Sequence, residues 1–269
     1  MSLFHYTDAN AVLSIIQNTE LWLTDIRFMN DSDESLDGAR YVIQAISDLL
    51  PENEPSADRA LERLREFSEK EVTDGQLDEH AFICSFSRAG DHLVQWRSYG
   101  LYAVEFHDSL AAYLQDFYDC FYEEAEKKRA AAEYVALTRR AIAMELRQGK
   151  QDSSTPVLQH MWKLADFVNQ FKHHSFREEN EIRLIRLKSS FDEDIEYRAR
   201  GDYVLPYLRI TFPLEHVKAI HIGPMRHQDL AIISMRSFIH NFEMKKRESH
   251  EHGNFKIQII PSAIPYRPI

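Results

Sequence analysis

Apolar residues follow two rhythms along this chain. Leu3 to Tyr6 reads as a first strand. Asp8 then has the character of an N-cap for a helix from Ala9 to about Asn18, where Val12, Leu13, Ile15 and Ile16 fall on one face. Leu21-Trp22-Leu23 predicts a short strand. The polar loop Asn30-Asp31-Ser32-Asp33-Glu34 leads into a helix carrying Tyr41, Val42, Ala45, Ile46 and Leu49 at helical spacing. Pro51 to Pro55 breaks it, and a further helix runs from about Ser56 to Glu71. Ala81 to Phe86 is a strand. Asp91 is a candidate cap for a short helix ending at Gly100, and Leu101 to Phe106 returns to strand. A long amphipathic helical region is expected from roughly Ser109 to Leu146, then a polar connector from Gln148 to Thr155 and a helix from Pro156 to about Lys172. The last third predicts strands at Glu181 to Leu187, Tyr203 to Phe212, Val217 to Ile222 and Phe255 to Ile260, with one helix over about Gln228 to Asn241. Strands spread through the chain, with helices grouped early and mid-chain, predict one α+β domain over 1–269 with a mixed, mostly antiparallel sheet and a helical insertion over about 109–155.

Composition narrows the picture only in places. The 269 residues suffice to bury a sizeable core, and 44% are hydrophobic. A formal charge of −11 argues against tight non-specific binding to nucleic acid, which depends on cations neutralising phosphates. The basic stretch with Arg186, Lys188, Arg198, Arg200 and Arg209 reads as a solvated face, as do Lys245, Lys246 and Arg247. Two cysteines, Cys84 and Cys120, form no metal-binding spacing, and Cys84 reads as a small core residue. No charged segment followed by an apolar stretch opens the chain and no run reaches the length of a membrane span, so no membrane association and a cytoplasmic location are expected.

Candidate chemistry gathers in a few motifs, each with a plainer alternative. His5 and Thr7 stand at i and i+2 on the first strand, able to hydrogen-bond a ribose or phosphate, or to serve as a satisfied core histidine and a turn cap. Asn30-Asp31-x-x-Glu34 is a set of short polar groups that equally suits a helix N-terminus. Trp96 and Tyr99 stand at i and i+3 on a short helix, a pair that walls a flat ring or packs as ordinary core. Glu179, Glu181 and Arg183 alternate, placing three charges on one strand face. That arrangement suits a carboxylate that orients a hydroxyl or stabilises a cation, or an exposed edge with a salt-bridge ladder.

Taken in order, His5-Tyr6-Thr7, Leu21-Trp22-Leu23, Phe28-x-Asn30-Asp31-x-x-Glu34, Cys84-Ser85-Phe86-Ser87, Trp96-x-x-Tyr99-Gly100, Glu179-x-Glu181-x-Arg183, Ile222-Gly223 and Ser262-x-Ile264 resemble the bacterial domain-of-unknown-function family 2971 over nearly the whole chain. The same order is more distantly similar to the ADP-ribosyltransferase fold, DNA-modifying bacterial toxins included. That resemblance implies a sheet core of that type and NAD as substrate. It implies His5 as ribose ligand with Thr7 beside it, Tyr99 or Trp96 stacked on nicotinamide, and Glu181, paired with Glu179, as the catalytic carboxylate. Asn30 and Arg183 complete the expected cofactor-binding set, and no metal is called for. A Ser-Thr-Ser strand motif is missing, and Arg183 beside the catalytic Glu is not a feature of that fold. The expected function is an NAD-consuming ADP-ribosyltransferase or NAD glycohydrolase with an unknown protein or nucleic-acid acceptor, acting as an intracellular effector or toxin in phage defence. The alternatives are a non-catalytic nucleotide-binding sensor and a metal-dependent nuclease built on Asp31, Glu34, Glu179 and Glu181.

Overall fold

The computed structural model describes residues 2–29, 34–73, 79–189, 191–248 and 256–265. Strand β1 (Ser2–Thr7) leads into helix α1 (Ala9–Asn18). Asp8 caps the helix as its residue type predicts, its Oδ1 accepting the Ala11 amide at 2.9 Å. Strand β2 (Glu20–Asp25) alternates strictly, with Leu21, Leu23 and Asp25 buried and Glu20, Trp22 and Thr24 turned to the other side. Helices α2 (Glu34–Ser47) and α3 (Pro55–Thr73) precede strand β3 (Glu79–Ser87), helix α4 (Leu93–Tyr99) and strand β4 (Tyr102–His107). Helix α5 (Ser109–Leu114), strand β5 (Phe117–Asp119), helix α6 (Glu124–Arg147) and helix α7 (Thr155–Val168) follow. The last third holds strands β6 (Glu181–Ser189), β7 (Glu196–Arg200), β8 (Tyr203–Thr211) and β9 (Val217–Ile222), then helix α8 (Gln228–Glu248) and strand β10 (Gln258–Pro261).

The architecture is mixed α and β around a mostly antiparallel open sheet of ten strands. β10 beside β9 is the parallel pair. One sheet face packs against α1, α5 and α8 through Leu3, Ile16, Phe82, Phe86, Phe106 and Ile239. A second core forms where α2, α3, α6 and α7 meet, around Ile46, Leu64, Val135, Ile142 and Leu164. Helix α6 is therefore an integral member of a four-helix layer. Its apolar stripe is spent on its neighbours.

The sequence expectations need four corrections here. The helical run from Ser109 is interrupted, because Phe117, Tyr118 and Asp119 pair with Leu184, Arg183 and Ile182 as strand β5. The helix expected to reach Lys172 ends at Val168. Asp91 does not cap α4; its carboxylate instead accepts the Trp96 indole N–H at 3.0 Å and the Ala263 amide. Strand β7 lies in a stretch with no strand expectation, since Glu196-Tyr197-Arg198-Ala199-Arg200 offers almost no apolar alternation.

One feature of the pairing positions the site. β3 is bonded along its full length to β6, but on its other edge it serves two partners. β1 reaches it only at Phe4 opposite Ser87, and β2 only at Thr24 and Asp25 opposite Ile83 and Phe82. The sheet forks between them, and Cys84, Ser85 and Phe86 face the fork.

Candidate functional site

A cavity of about 740 Å³ fills the fork, lined by residues of β1, α1, β2, β3, α4, β7 and the turn before β6. That volume falls within the range of pockets that enclose a small molecule or cofactor. Its floor is the unpaired edge of β3. The Ser85 carbonyl there, which a continuous strand would have bonded, instead accepts a hydrogen bond from His5 Nδ1 at 2.9 Å. A carbonyl can only accept, so Nδ1 carries the proton and Nε2 keeps its lone pair in the neutral ring. Burial lowers the His5 pKa, with the Ser85 bond acting against it, so the ring is neutral at neutral pH. Thr7 also lines the cavity.

The carboxylate end is built by a tight turn. Glu179 closes a 3-10 turn over His174–Glu179, and Asn180 takes a left-handed conformation with φ 44° before Glu181 opens β6. Glu179 is thus not on the strand as its spacing suggested, yet both carboxylates reach one point. The Lys172 ammonium lies between them, 2.6 Å from Glu179 Oε2 and in contact with Glu181 Oε2. Tyr99 donates its hydroxyl to Glu179 Oε1 at 2.8 Å. Arg183 Nε bonds Glu181 Oε1 at 2.9 Å, and its Nη1 is anchored on the Asn169 carbonyl. The Glu181 amide donates to the Tyr122 hydroxyl, fixing the start of the strand. Burial alone would raise the Glu181 pKa, but Arg183 and Lys172 outweigh it and hold the carboxyl at about 2. Tyr99 is pushed the other way, above the usual phenol range, by burial, although Lys172 opposes this.

Of the residues singled out from sequence, His5, Thr7, Tyr99, Glu179 and Glu181 share the cavity wall. Two do not. Trp96 is 2% exposed and packs edge-on against Tyr6 beneath Gly223, so it belongs to the core on the far side of α4. The helix turns Gln95 and Tyr99, at i and i+4, toward the cavity instead. Arg183 is fully buried behind Glu181 and acts on it, not on the cavity. Asn30 and Asp31 lie outside the described residues, and the Glu34 side chain is not described.

Three contributors escaped the sequence reading. Lys172 is nearly buried and neutralises the Glu pair. The excess of acid over base in Glu178-Glu179-Asn180-Glu181-Ile182-Arg183 was the available signal that a further cation was needed. Gln95 donates to the Glu179 carbonyl at 3.0 Å, bracing the turn. Arg198, expected on a solvated face, enters the cavity wall with Ala199 and Arg200 from the β7 edge.

The Lys172 ammonium occupies the point where a cation shared by Glu179 and Glu181 would sit. Among the described residues no group of three or more His, Cys, Asp or Glu is arranged to hold a metal ion. No described helix is long and apolar enough to cross a membrane. Comparison with protein-family models, with curated proteins and with solved structures found no match to this chain.

Proposed function

We propose that the cavity binds NAD and that the protein cleaves its nicotinamide–ribose bond, as an ADP-ribosyltransferase or an NAD glycohydrolase. The observation that carries this reading is the meeting of His5 from β1, Tyr99 from α4 and the Glu179–Glu181 pair at the start of β6 in one cavity at a forked sheet. The His5 ring, neutral with its Nδ1 proton given to Ser85, offers Nε2 to a ribose hydroxyl. The Tyr99 ring flanks the carboxylates, where nicotinamide would stack. Glu181 stays ionised far below neutral pH. It would accept the hydroxyl of the nicotinamide ribose and offset the positive charge that builds there as the C–N bond breaks. The bonding pair leaves with nicotinamide. Water or an acceptor nucleophile then adds to the anomeric carbon and releases its proton to solvent. In this reading the protein is a cytoplasmic effector or toxin, in phage defence, with a protein or nucleic-acid acceptor.

One observation favours a second reading, a nucleotide-binding sensor without turnover. Both Glu181 oxygens are engaged by cations, Oε1 by Arg183 and Oε2 by Lys172, which spends much of the charge a cleavage reaction needs. Incubating purified protein with NAD and following free nicotinamide by chromatography, beside Glu181→Gln, separates the two. Release by the wild type and not by the variant supports cleavage. NAD binding without release, unchanged in Glu181→Gln, gives the sensor reading the lead, and absence of NAD binding removes both NAD readings.

A further inference from the structure

Where they border the cavity, β2, β7 and β8 place an arginine in an unusual setting. Glu20, Trp22 and Thr24 alternate toward the cavity on β2, and Tyr207 and Arg209 lie opposite Thr24 and Trp22 on β8. From β7, Arg198 lays its guanidinium over the Trp22 ring at 5.0 Å and the Tyr207 ring at 5.3 Å. One Nη2 donates to Thr24 Oγ1 at 2.9 Å. No carboxylate among the described residues pairs with it. The acids nearest to hand are already taken: Glu196 by Arg209 at 2.5 Å and by the Tyr207 hydroxyl at 2.9 Å, and Glu20 by Arg209 at 3.8 Å. Arg198 Nε and Trp22 Nε1 are both buried without a hydrogen-bond partner among the described residues. Arg200, two positions on and on the same strand face, adds a second positive charge to the cavity wall.

This is costly for the folded protein. Burial and the neighbouring Arg200 both act against the charged form of Arg198 and lower its pKa from the usual arginine range. In a chain of net charge −11, with 43 acidic residues, a partly buried guanidinium without a carboxylate stands out against the matched charges of Lys172 and Arg183. A planar guanidinium supported by aromatic rings can still offer N–H groups to the oxygens of one anion.

We infer that Arg198, with Arg200 beside it on the β7 edge, forms an anion subsite that takes the diphosphate of a nucleotide ligand. This deepens the NAD reading, since NAD carries a diphosphate, but it also stands for any nucleoside diphosphate. Aromatic support from Trp22 and Tyr207 presets the guanidinium before the ligand arrives, which reduces the ordering that binding must impose. A guanidinium kept for a ligand also has a signature that a structural one lacks. Its loss should leave the unliganded fold as stable as before, or more so, because an unmatched charge is removed from a partly buried position.

The test is calorimetric titration of the full chain with inorganic pyrophosphate, ADP and AMP, for wild type, Arg198→Met and Arg63→Met. Arg63 is not among the residues that line the cavity and is paired with Glu66. Pyrophosphate and ADP should bind wild type and Arg63→Met alike, ADP more tightly than AMP, and Arg198→Met should weaken both diphosphates at least tenfold. The melting temperature of unliganded Arg198→Met should be equal to or above that of wild type. Equal diphosphate affinity in wild type and Arg198→Met, no diphosphate binding at all, or a variant that melts lower or fails to fold would each overturn the subsite. Arg198-dependent binding of pyrophosphate and ADP without any binding of NAD would keep the subsite and remove the NAD reading instead.

Discussion

Lys172 is the most exposed point of the account to experiment. Its ammonium is buried, bridges two carboxylates that are each 4% exposed, and lies over the Phe176 ring at 5.1 Å. Replacing it by methionine keeps the aliphatic stem and removes the charge. Glu179 and Glu181 would then face each other with Arg183 alone to offset them. Breaking a buried ion pair by deleting one partner costs about 3–5 kcal/mol, because the remaining charge stays desolvated. For a chain of this size that corresponds to a fall of roughly 10 °C in melting temperature. The penalty also acquires a sign with pH. In the wild type the Glu181 pKa is depressed to about 2, so its contribution is complete above the unfolded value of 4.5 and fades as pH falls toward about 2. In Lys172→Met two adjacent carboxylates cannot both ionise cheaply, so one folded-state pKa rises above its unfolded value and stability is lost as pH increases. Urea unfolding followed by tryptophan fluorescence at about pH 5 and about pH 8 should show a clear deficit at both pH values, larger at the higher. A loss under about 1 kcal/mol, equal at both pH values, would refute the claim that this ammonium holds the carboxylate pair together.

Two further outcomes follow from local geometry. Gly100 has φ 131°, and a Cβ there would stand 2.3 Å from the Thr7 carbonyl oxygen, so Gly100→Ala should cost about 2–3 kcal/mol or more and lower the melting temperature by several degrees. Tyr99→Phe removes the hydroxyl that Glu179 Oε1 accepts while keeping the ring, so thermal denaturation should show a loss of about 1–2 kcal/mol. NAD affinity by titration should fall far less in that variant than in Tyr99→Ala.

Much of the scaffold was legible from local pattern because local physics decided it. Helix α1 runs where Asp8 and the Val12-Ile15-Ile16 stripe say it should, and β2 follows the alternation around Leu21 and Leu23. The misses occur where tertiary contacts decide. A seven-residue helix such as α4 has no phase that sequence can fix, and it was the Tyr6 ring and the space beside Gly223 that drew Trp96 inward and turned Gln95 and Tyr99 to the cavity. β7 is a sheet edge whose outer side chains are exposed, so its apolar signal is absent, and Arg198 looked like one more surface cation. Asn180 in a left-handed conformation breaks the strand period between Glu179 and Glu181, and only the folded chain shows that Lys172 closes the pair. The fork of the sheet follows from which strand ends meet β3, a matter of register that no single segment encodes.

The central claim is that the fork between β1 and β2 is a dinucleotide site. Calorimetric titration of the wild-type protein with a non-cleavable NAD analogue tests it without interference from turnover. One site per chain is expected, with affinity reduced at least tenfold by Tyr99→Ala and by Arg198→Met. Saturable binding that neither substitution changes, or no binding, would contradict it.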